Sequence, residues 1–110
     1  MIKAVFNRSD NGEISGFEVK GHANSSGKGE FDLICASVSA IGYTALGGLQ
    51  ELCGIECYEE RNGYLKMDLP GNLSEETMKT AQIILKTMEI GLQQVEAQYT
   101  SYIRVIGREV

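Results

Sequence analysis

The sequence lacks several features that would place a protein in a membrane or outside a cell. No apolar stretch approaches the ~20 residues that a helix needs to span a bilayer. The first ten residues, MIKAVFNRSD, lack the apolar segment of a signal peptide because charged and polar residues interrupt them at once. Cysteine is scarce, with three in 110 residues. We therefore expect a cytoplasmic protein that contacts no membrane and keeps its cysteines reduced.

Positive charge is also in short supply. Fifteen acidic residues against ten basic ones leave a net charge of -5. Such a surface repels phosphate backbones, so we expect no nucleic-acid partner, whereas a basic partner would be tolerated. With 43% hydrophobic and 23% charged residues and no low-complexity run, residues 1–110 are expected to form one globular domain with its own core.

Alternating apolar and polar residues on either side of two Asn-Gly pairs predict two β-hairpins. Asn11-Gly12 and Asn62-Gly63 suit the positive φ angles of type I′ turns. We expect a bulge at Gly16, an end to the second hairpin at Pro70-Gly71, and a closing strand over residues 102–106. The first hairpin is predicted to pair Ile2, Ala4 and Phe6 with the inward residues Phe17 and Val19. The second is predicted to pair the region of Ile55 and Cys57 with Leu65, Met67 and Leu69.

Two segments have the spacing of helices. Residues 33–53 predict a helix that ends at Gly54, and its three interior glycines, each costing about 1 kcal/mol, require a close neighbour such as the sheet or a second subunit. A second helix begins after Ser74 as N-cap and places one apolar stripe on the core. The order ββαββαβ predicts an α+β two-layer sandwich, with two helices packed on one mostly antiparallel sheet.

The single histidine lies upstream of a cysteine that stands where the first helix begins. Asp32 occupies the expected N-cap position, which makes Cys35 the third helical residue, where the positive end of the helix dipole favours a thiolate. His22 ends the second strand, and the polar segment after it is long enough for the imidazole to fold back and take the thiol proton. Cys35 and His22 are therefore a candidate nucleophile and base, although core packing is the usual role of a cysteine.

Other residues near this pair have two readings. Ser39 lies one turn after Cys35, where its hydroxyl either contacts the site or bonds back to the Cys35 carbonyl. Asp32 and Asn24 are the candidates for orienting the histidine. Amides at the helix start are expected to hold an oxyanion, with help from the loop because Asp32 caps one of them.

Cys53 and Cys57 are expected to be buried thiols, since too few ligands remain for zinc, and we expect no metal.

The combined pattern resembles the ribosomal-processing cysteine protease Prp family. That pattern is Gly-His-Ala, a glycine-containing loop, then Asp, two aliphatic residues, Cys-Ala, and Ser four residues after the Cys. Here it reads Gly21-His22-Ala23, then residues 32–36 as Asp-Leu-Ile-Cys-Ala, then Ser39. In this chain, Gly29 is followed by Glu30-Phe31 before the Asp, which departs from the family's loop.

The resemblance implies a cysteine endopeptidase that removes a short N-terminal extension from a large-subunit ribosomal protein. It implies that Cys35 is the nucleophile, that His22 is the general base, and that Asp32 and Ser39 have supporting roles. It also implies a homodimer and no cofactor. We further expect the loop from Ala23 to Phe31 to close over the substrate peptide as one wall of the cleft.

Two other functions are compatible with the same residues. A non-catalytic ribosome-associated or assembly factor would use the site only to grip a peptide, and it would still function with Cys35→Ala. A thiol redox sensor would need Cys35 but not His22.

Overall fold

The computed structural model describes residues 1–23 and 32–110. Its elements confirm the predicted order ββαββαβ and the α+β class. In chain order they are β1 (Ile2–Arg8), β2 (Ile14–Lys20), α1 (Leu33–Cys53), β3 (Tyr58–Arg61), β4 (Tyr64–Asp68), α2 (Glu75–Gln98) and β5 (Ile103–Glu109).

The five strands form one open sheet in the order β3-β4-β2-β1-β5. All neighbours are antiparallel except β1 and β5, which run parallel, so the expectation of a mostly antiparallel sheet is confirmed. Phe6 pairs with Phe17, and the ladder shifts register just beyond Gly16. A Cβ built at Gly16 would lie 2.5 Å from the Met67 carbonyl oxygen, so glycine is needed where β4 approaches β2.

The second hairpin begins later than the alternation predicted. Ile55 and Cys57 precede β3 instead of belonging to it, which makes this part of the strand prediction wrong. The reason lies in the end of α1, where Gly54 adopts φ 68° and the Ile55 N–H donates to the Leu49 carbonyl at 3.1 Å. That bond closes the helix. It uses the N–H that a strand at Ile55 would need, although the Ile55 side chain is still buried in the core.

Two of the three interior glycines of α1 have close neighbours, as predicted, and these neighbours lie within the chain. A Cβ at Gly42 would lie 3.0 Å from the Leu65 side chain on β4, and one at Gly48 would lie 3.6 Å from Ile84 on α2. Gly47 has no neighbour within 4 Å among the described residues. The sheet and the second helix therefore account for two of the three glycines.

By length and composition alone, α1 could cross a membrane. It has 21 residues and a mean hydropathy of 1.3 in its most apolar window, so the expectation that no such stretch exists is wrong. The core helix of a globular protein meets the same criteria, and one face of α1 does pack into the core. The buried residues of that face are Ile34, Val38, Gly42, Ala45, Leu46 and Leu49.

Both predicted N-caps are present. The Asp32 carboxylate accepts hydrogen bonds from the backbone N–H groups of Ile34 and Cys35, each at 3.0 Å. The Ser74 hydroxyl accepts one from the Thr77 N–H at 3.1 Å. Each cap satisfies N–H groups that have no partner inside the helix.

A buried glutamine, which the apolar stripe of α2 did not predict, ties that helix to the sheet. The Gln82 side chain is buried, accepts from the Ile14 N–H and donates to the Ile14 carbonyl, both at 2.7 Å. Ile14 begins β2 at the point where the ladder changes register. The glutamine amide thus satisfies two backbone groups that the core would otherwise leave without partners.

We expect Asp32→Ala to lower the free energy of unfolding by about 1 kcal/mol, because capped N–H groups lose their acceptor. Ser74→Ala, at the start of α2, is the matched substitution and should cost a similar amount. Asp32→Asn should retain most of the stability, since an amide oxygen also caps. Urea unfolding followed by circular dichroism measures all three, and an Asp32→Ala variant as stable as the parent chain contradicts the capping role.

We expect Gln82→Leu to lower the free energy of unfolding by about 2 to 4 kcal/mol, because two buried backbone groups lose their hydrogen-bond partners. Gln94→Leu, an exposed position of α2, is the control and should change stability by less than about 0.5 kcal/mol. Urea unfolding also measures this pair. Equal midpoints for the two variants would show that the Gln82 bonds contribute nothing.

Candidate active site

The chain leaves β2 through a glycine that no other residue could replace without strain. Gly21 has φ 103°, and a Cβ built on it would overlap the carbonyl oxygen of Met1. Its N–H donates to the Gly63 carbonyl, in the β3–β4 turn, at 2.9 Å. This first residue of the Gly-His-Ala triplet therefore lets the chain pass between the N-terminus and that turn.

The histidine of the triplet lies against the same turn. Its side chain is exposed, and its ring packs on the bare backbone of Gly63, where a built Cβ would lie 2.5 Å from Nε2. Within the described residues, no side chain forms a hydrogen bond with the imidazole. Asp32 does not orient His22 in this way, and Asn24 lies outside the described residues.

The cysteine is accessible, and its sulfur has a hydrogen-bond donor. Cys35 is half-buried at the start of α1. Its Sγ accepts a hydrogen bond from the Ala23 N–H, with 3.2 Å between nitrogen and sulfur. An N–H donor stabilises a negatively charged sulfur more than a neutral one. The third residue of the triplet thus supplies a backbone group to the candidate nucleophile.

One cleft of about 540 Å³ brings the predicted site residues together. His22, Cys35 and Ser39 all line it, whereas Asp32 stands behind Cys35 as the helix cap and does not. In the described residues, no hydrogen bond joins the imidazole to the Cys35 sulfur. Catalytic hydrogen bonds are often absent before substrate binds. The apolar part of the lining comes from Ile2, Val19, Val38, Tyr43 and Leu65.

The amides at the helix start are more fully occupied than the sequence predicted. Asp32 accepts from both Ile34 and Cys35 instead of from one of them. Those two N–H groups are therefore not free to bind an oxyanion in this arrangement. The loop expected to help is described only at Ala23, and residues 24–31 lie outside the described part of the chain.

The Ser39 hydroxyl does not bond back to the helix. Ser37 and Thr44 donate to the carbonyls four residues earlier, at 2.8 and 2.6 Å. Ser39 makes no such bond in the described structure, and it is exposed at the cleft. The back-bonding alternative is therefore wrong, and the hydroxyl is available to a bound peptide.

The other two cysteines lie away from this cleft. Cys53 is half-buried near the Thr77 carbonyl, and burial raises the pKa of its thiol. Cys57 is exposed and donates to the Asp68 carbonyl at 3.4 Å, so the prediction of a buried thiol there is wrong. Cys57 directly precedes β3, and all four side chains of that strand are exposed. Its thiol therefore lies outside the core.

Sequence reasoning missed the β3–β4 hairpin as a wall of the site. Glu60, Asn62 and Gly63 line the cleft opposite α1. The hairpin reaches His22 because β4 pairs with β2, with Tyr64 opposite Lys20. The Asn-Gly pair predicted the turn but not that the turn contacts His22. That contact depends on the pairing of β2 with β4, whose residues lie more than forty positions apart.

A family model described as cysteine protease Prp matches residues 1–104. The ribosomal processing cysteine protease Prp of Bacillus subtilis is 34% identical over 108 residues, which cover 96% of each chain. The protein of the same name from Staphylococcus aureus is 27% identical over 111 residues, covering 96% of this chain and 97% of that one.

Solved structures share the fold. An essential ribosomal processing protease Prp from S. aureus, with a covalently linked product peptide, matches with a TM-score of 0.77 at 24% identity, covering 98% of this chain and all of that one. Its complex with a substrate peptide matches with a TM-score of 0.80 at 22% identity, with the same coverage. Because the family model spans nearly the whole chain, this protein belongs to the cysteine protease Prp family and is a cysteine protease.

Proposed function

We propose that this protease removes the N-terminal extension of a large-subunit ribosomal protein, with Cys35 as nucleophile and His22 as general base. The observation that carries the proposal is an accessible thiol, hydrogen-bonded by a backbone N–H, in the same cleft as the only histidine. Relatives are named for ribosomal processing. A relative from S. aureus is described in complex with a substrate peptide, and also with a covalently linked product peptide.

In the first half of the reaction, His22 takes the proton of the Cys35 thiol. The sulfur then attacks the carbonyl carbon of the scissile peptide bond and forms a tetrahedral intermediate. As the intermediate collapses, the C–N bond breaks and the imidazolium gives its proton to the leaving amine. The product of this half is a thioester between Cys35 and the N-terminal fragment.

In the second half, His22 takes a proton from water, whose oxygen attacks the thioester carbon. Collapse breaks the C–S bond, releases the carboxylic acid and returns the proton to the sulfur. The Ala23 N–H donates to the sulfur before attack. We propose that it donates to the oxyanion once the sulfur is bonded to carbon, because Asp32 holds the Ile34 and Cys35 amides.

We expect Cys35→Ala and His22→Ala each to lower kcat/KM by at least about 10³-fold, because each removes a group that moves a proton or forms the thioester. The assay is cleavage of an extended ribosomal N-terminal peptide, read by mass spectrometry. Cys57→Ala, an exposed thiol outside the cleft, is the matched control and should cleave as the parent chain does.

The same variants separate the proposal from its rivals. A Cys35→Ala chain that still binds the peptide but does not cleave it is the expected outcome. Undiminished cleavage by His22→Ala would overturn the assignment of the base. Cleavage by Cys35→Ala would overturn the assignment of the nucleophile, and binding without cleavage by the parent chain would favour an assembly factor.

Ser39 is proposed to hydrogen-bond the bound peptide. We expect Ser39→Ala to lower kcat/KM by about 10-fold, since one hydrogen bond contributes about 1 kcal/mol or slightly more. Ser37→Ala, on the same helix, removes a hydroxyl that bonds to the Leu33 carbonyl and should leave kcat/KM unchanged. Equal kinetics for the two variants would show that Ser39 does not contact the substrate.

We also propose that the protein works in the cytoplasm as a homodimer. Exposed apolar side chains on the two helices favour self-association. They are Leu33, Tyr43, Leu52, Ile83 and Ile90. Light scattering behind size-exclusion chromatography measures the mass in solution, and a monomer at micromolar concentration would contradict the dimer.

A further inference from the structure

We propose that Gly63 is a positioning residue that determines where the His22 imidazole stands, so that the β3–β4 turn performs the task of an orienting side chain. This inference rests on the proposed role of His22 as the general base. Triad enzymes usually hold the histidine with a hydrogen bond from a third group. Here, within the described residues, contact with the backbone replaces that bond.

The first argument is the fit of the ring on the glycine. A Cβ built at Gly63 would lie 2.5 Å from Nε2, 3.0 Å from Cε1 and 3.2 Å from Cδ2 of His22. Carbon atoms in van der Waals contact stand about 3.5 to 4.0 Å apart. Three atoms of the imidazole therefore occupy the space that any other residue at this position would fill.

The second argument is a backbone bond beside the contact. The Gly21 N–H donates to the Gly63 carbonyl at 2.9 Å, and Gly21 immediately precedes the histidine. The residue before His22 and the His22 ring thus both contact Gly63 of the turn. A shift of the turn moves the two together.

The third argument is that the turn is held to the strand that carries the histidine. Tyr64 pairs with Lys20, and its hydroxyl donates to the Glu18 carboxylate at 3.0 Å. Partial burial raises the pKa of the Tyr64 phenol, and Glu18 raises it further, so the phenol stays a donor. The Arg61 guanidinium stands 4.1 Å from the centre of the Tyr64 ring, so a cation–π contact also links the turn to this side chain.

The chain contains its own control for this proposal. Gly63 and Gly12 both follow an asparagine in a hairpin turn, with φ 71° and 83°. A Cβ at Gly12 would meet nothing within 4 Å in the described structure. Gly12→Ala and Gly63→Ala therefore both place an alanine at a similar positive φ, and only the second also displaces the imidazole.

We expect both alanine variants to lower Tm by similar amounts. Gly63→Ala should in addition lower kcat about 10- to 100-fold, because misplacing a catalytic group by about 1 Å has an effect of that size. KM should change little, and Gly12→Ala should keep the kcat of the parent chain. Kinetics are measured well below both midpoints.

A second measurement reports on the ring itself. Since His22 is the only histidine, its Cε1–H and Cδ2–H signals are unambiguous in NMR spectra. Gly63→Ala should shift them and Gly12→Ala should not. Signals and kcat that match in the two variants would overturn the proposal.

If Gly63→Ala does not fold, Tyr64→Phe tests the proposal instead. It removes the hydrogen bond from Tyr64 to Glu18 and so loosens the turn, without placing an atom against the His22 imidazole. We expect shifted His22 signals and a kcat several-fold lower, and unchanged values for both would overturn the proposal. His22→Ala is included throughout. If His22→Ala retains full activity, the proposed function fails, whereas an inactive His22→Ala together with an unaffected Gly63→Ala refutes only the role of Gly63.

Discussion

The hydrogen bond from the Ala23 N–H to the Cys35 sulfur is the contact on which the site depends. It joins the end of β2 to the beginning of α1 and so holds Cys35, the candidate nucleophile, beside the segment that carries His22. Gly21 makes the bond possible because its positive φ brings the chain past Met1. The Asp32 cap makes it possible from the other side, because it sets where the first helical turn begins. Gly21, Ala23 and Asp32 of the sequence motif therefore each have a physical task.

Cys35 and His22, the candidate nucleophile and base, are held in different ways. Cys35 is held by a capped helix and a backbone donor, both of which act through directional hydrogen bonds. His22 is held by packing on a turn, which restricts where the ring can stand but leaves its nitrogens free. In its proposed role His22 exchanges protons with a thiol, an amine and a water, and such freedom suits that role. The absence of a bond between the two residues in the described structure agrees with a site that tightens when peptide binds.

Much of the architecture was predictable because it follows from local chemistry. The bounds of α1, both N-caps, the Gly54 stop and the inward facing of Phe6 and Phe17 all depend on neighbouring residues or on one tight turn. The structural predictions failed where a hydrogen bond to a distant residue, or a competing hydrogen bond, determined the local structure. Ile55 does not belong to the predicted strand because its N–H donates to the Leu49 carbonyl at the end of α1. Gln82 was missed because its partner, Ile14, lies sixty-eight residues away.

The sequence by itself determined the two hairpins, the two capped helices, and the placement of a cysteine at a helix start downstream of the only histidine. These features depend on φ preferences, capping and periodicity, which act over a few residues. Only the tertiary structure decided that β4 lies next to β2, and hence that Gly63 meets His22. Strand order is chosen by the packing of the whole core, and no short stretch of residues encodes it.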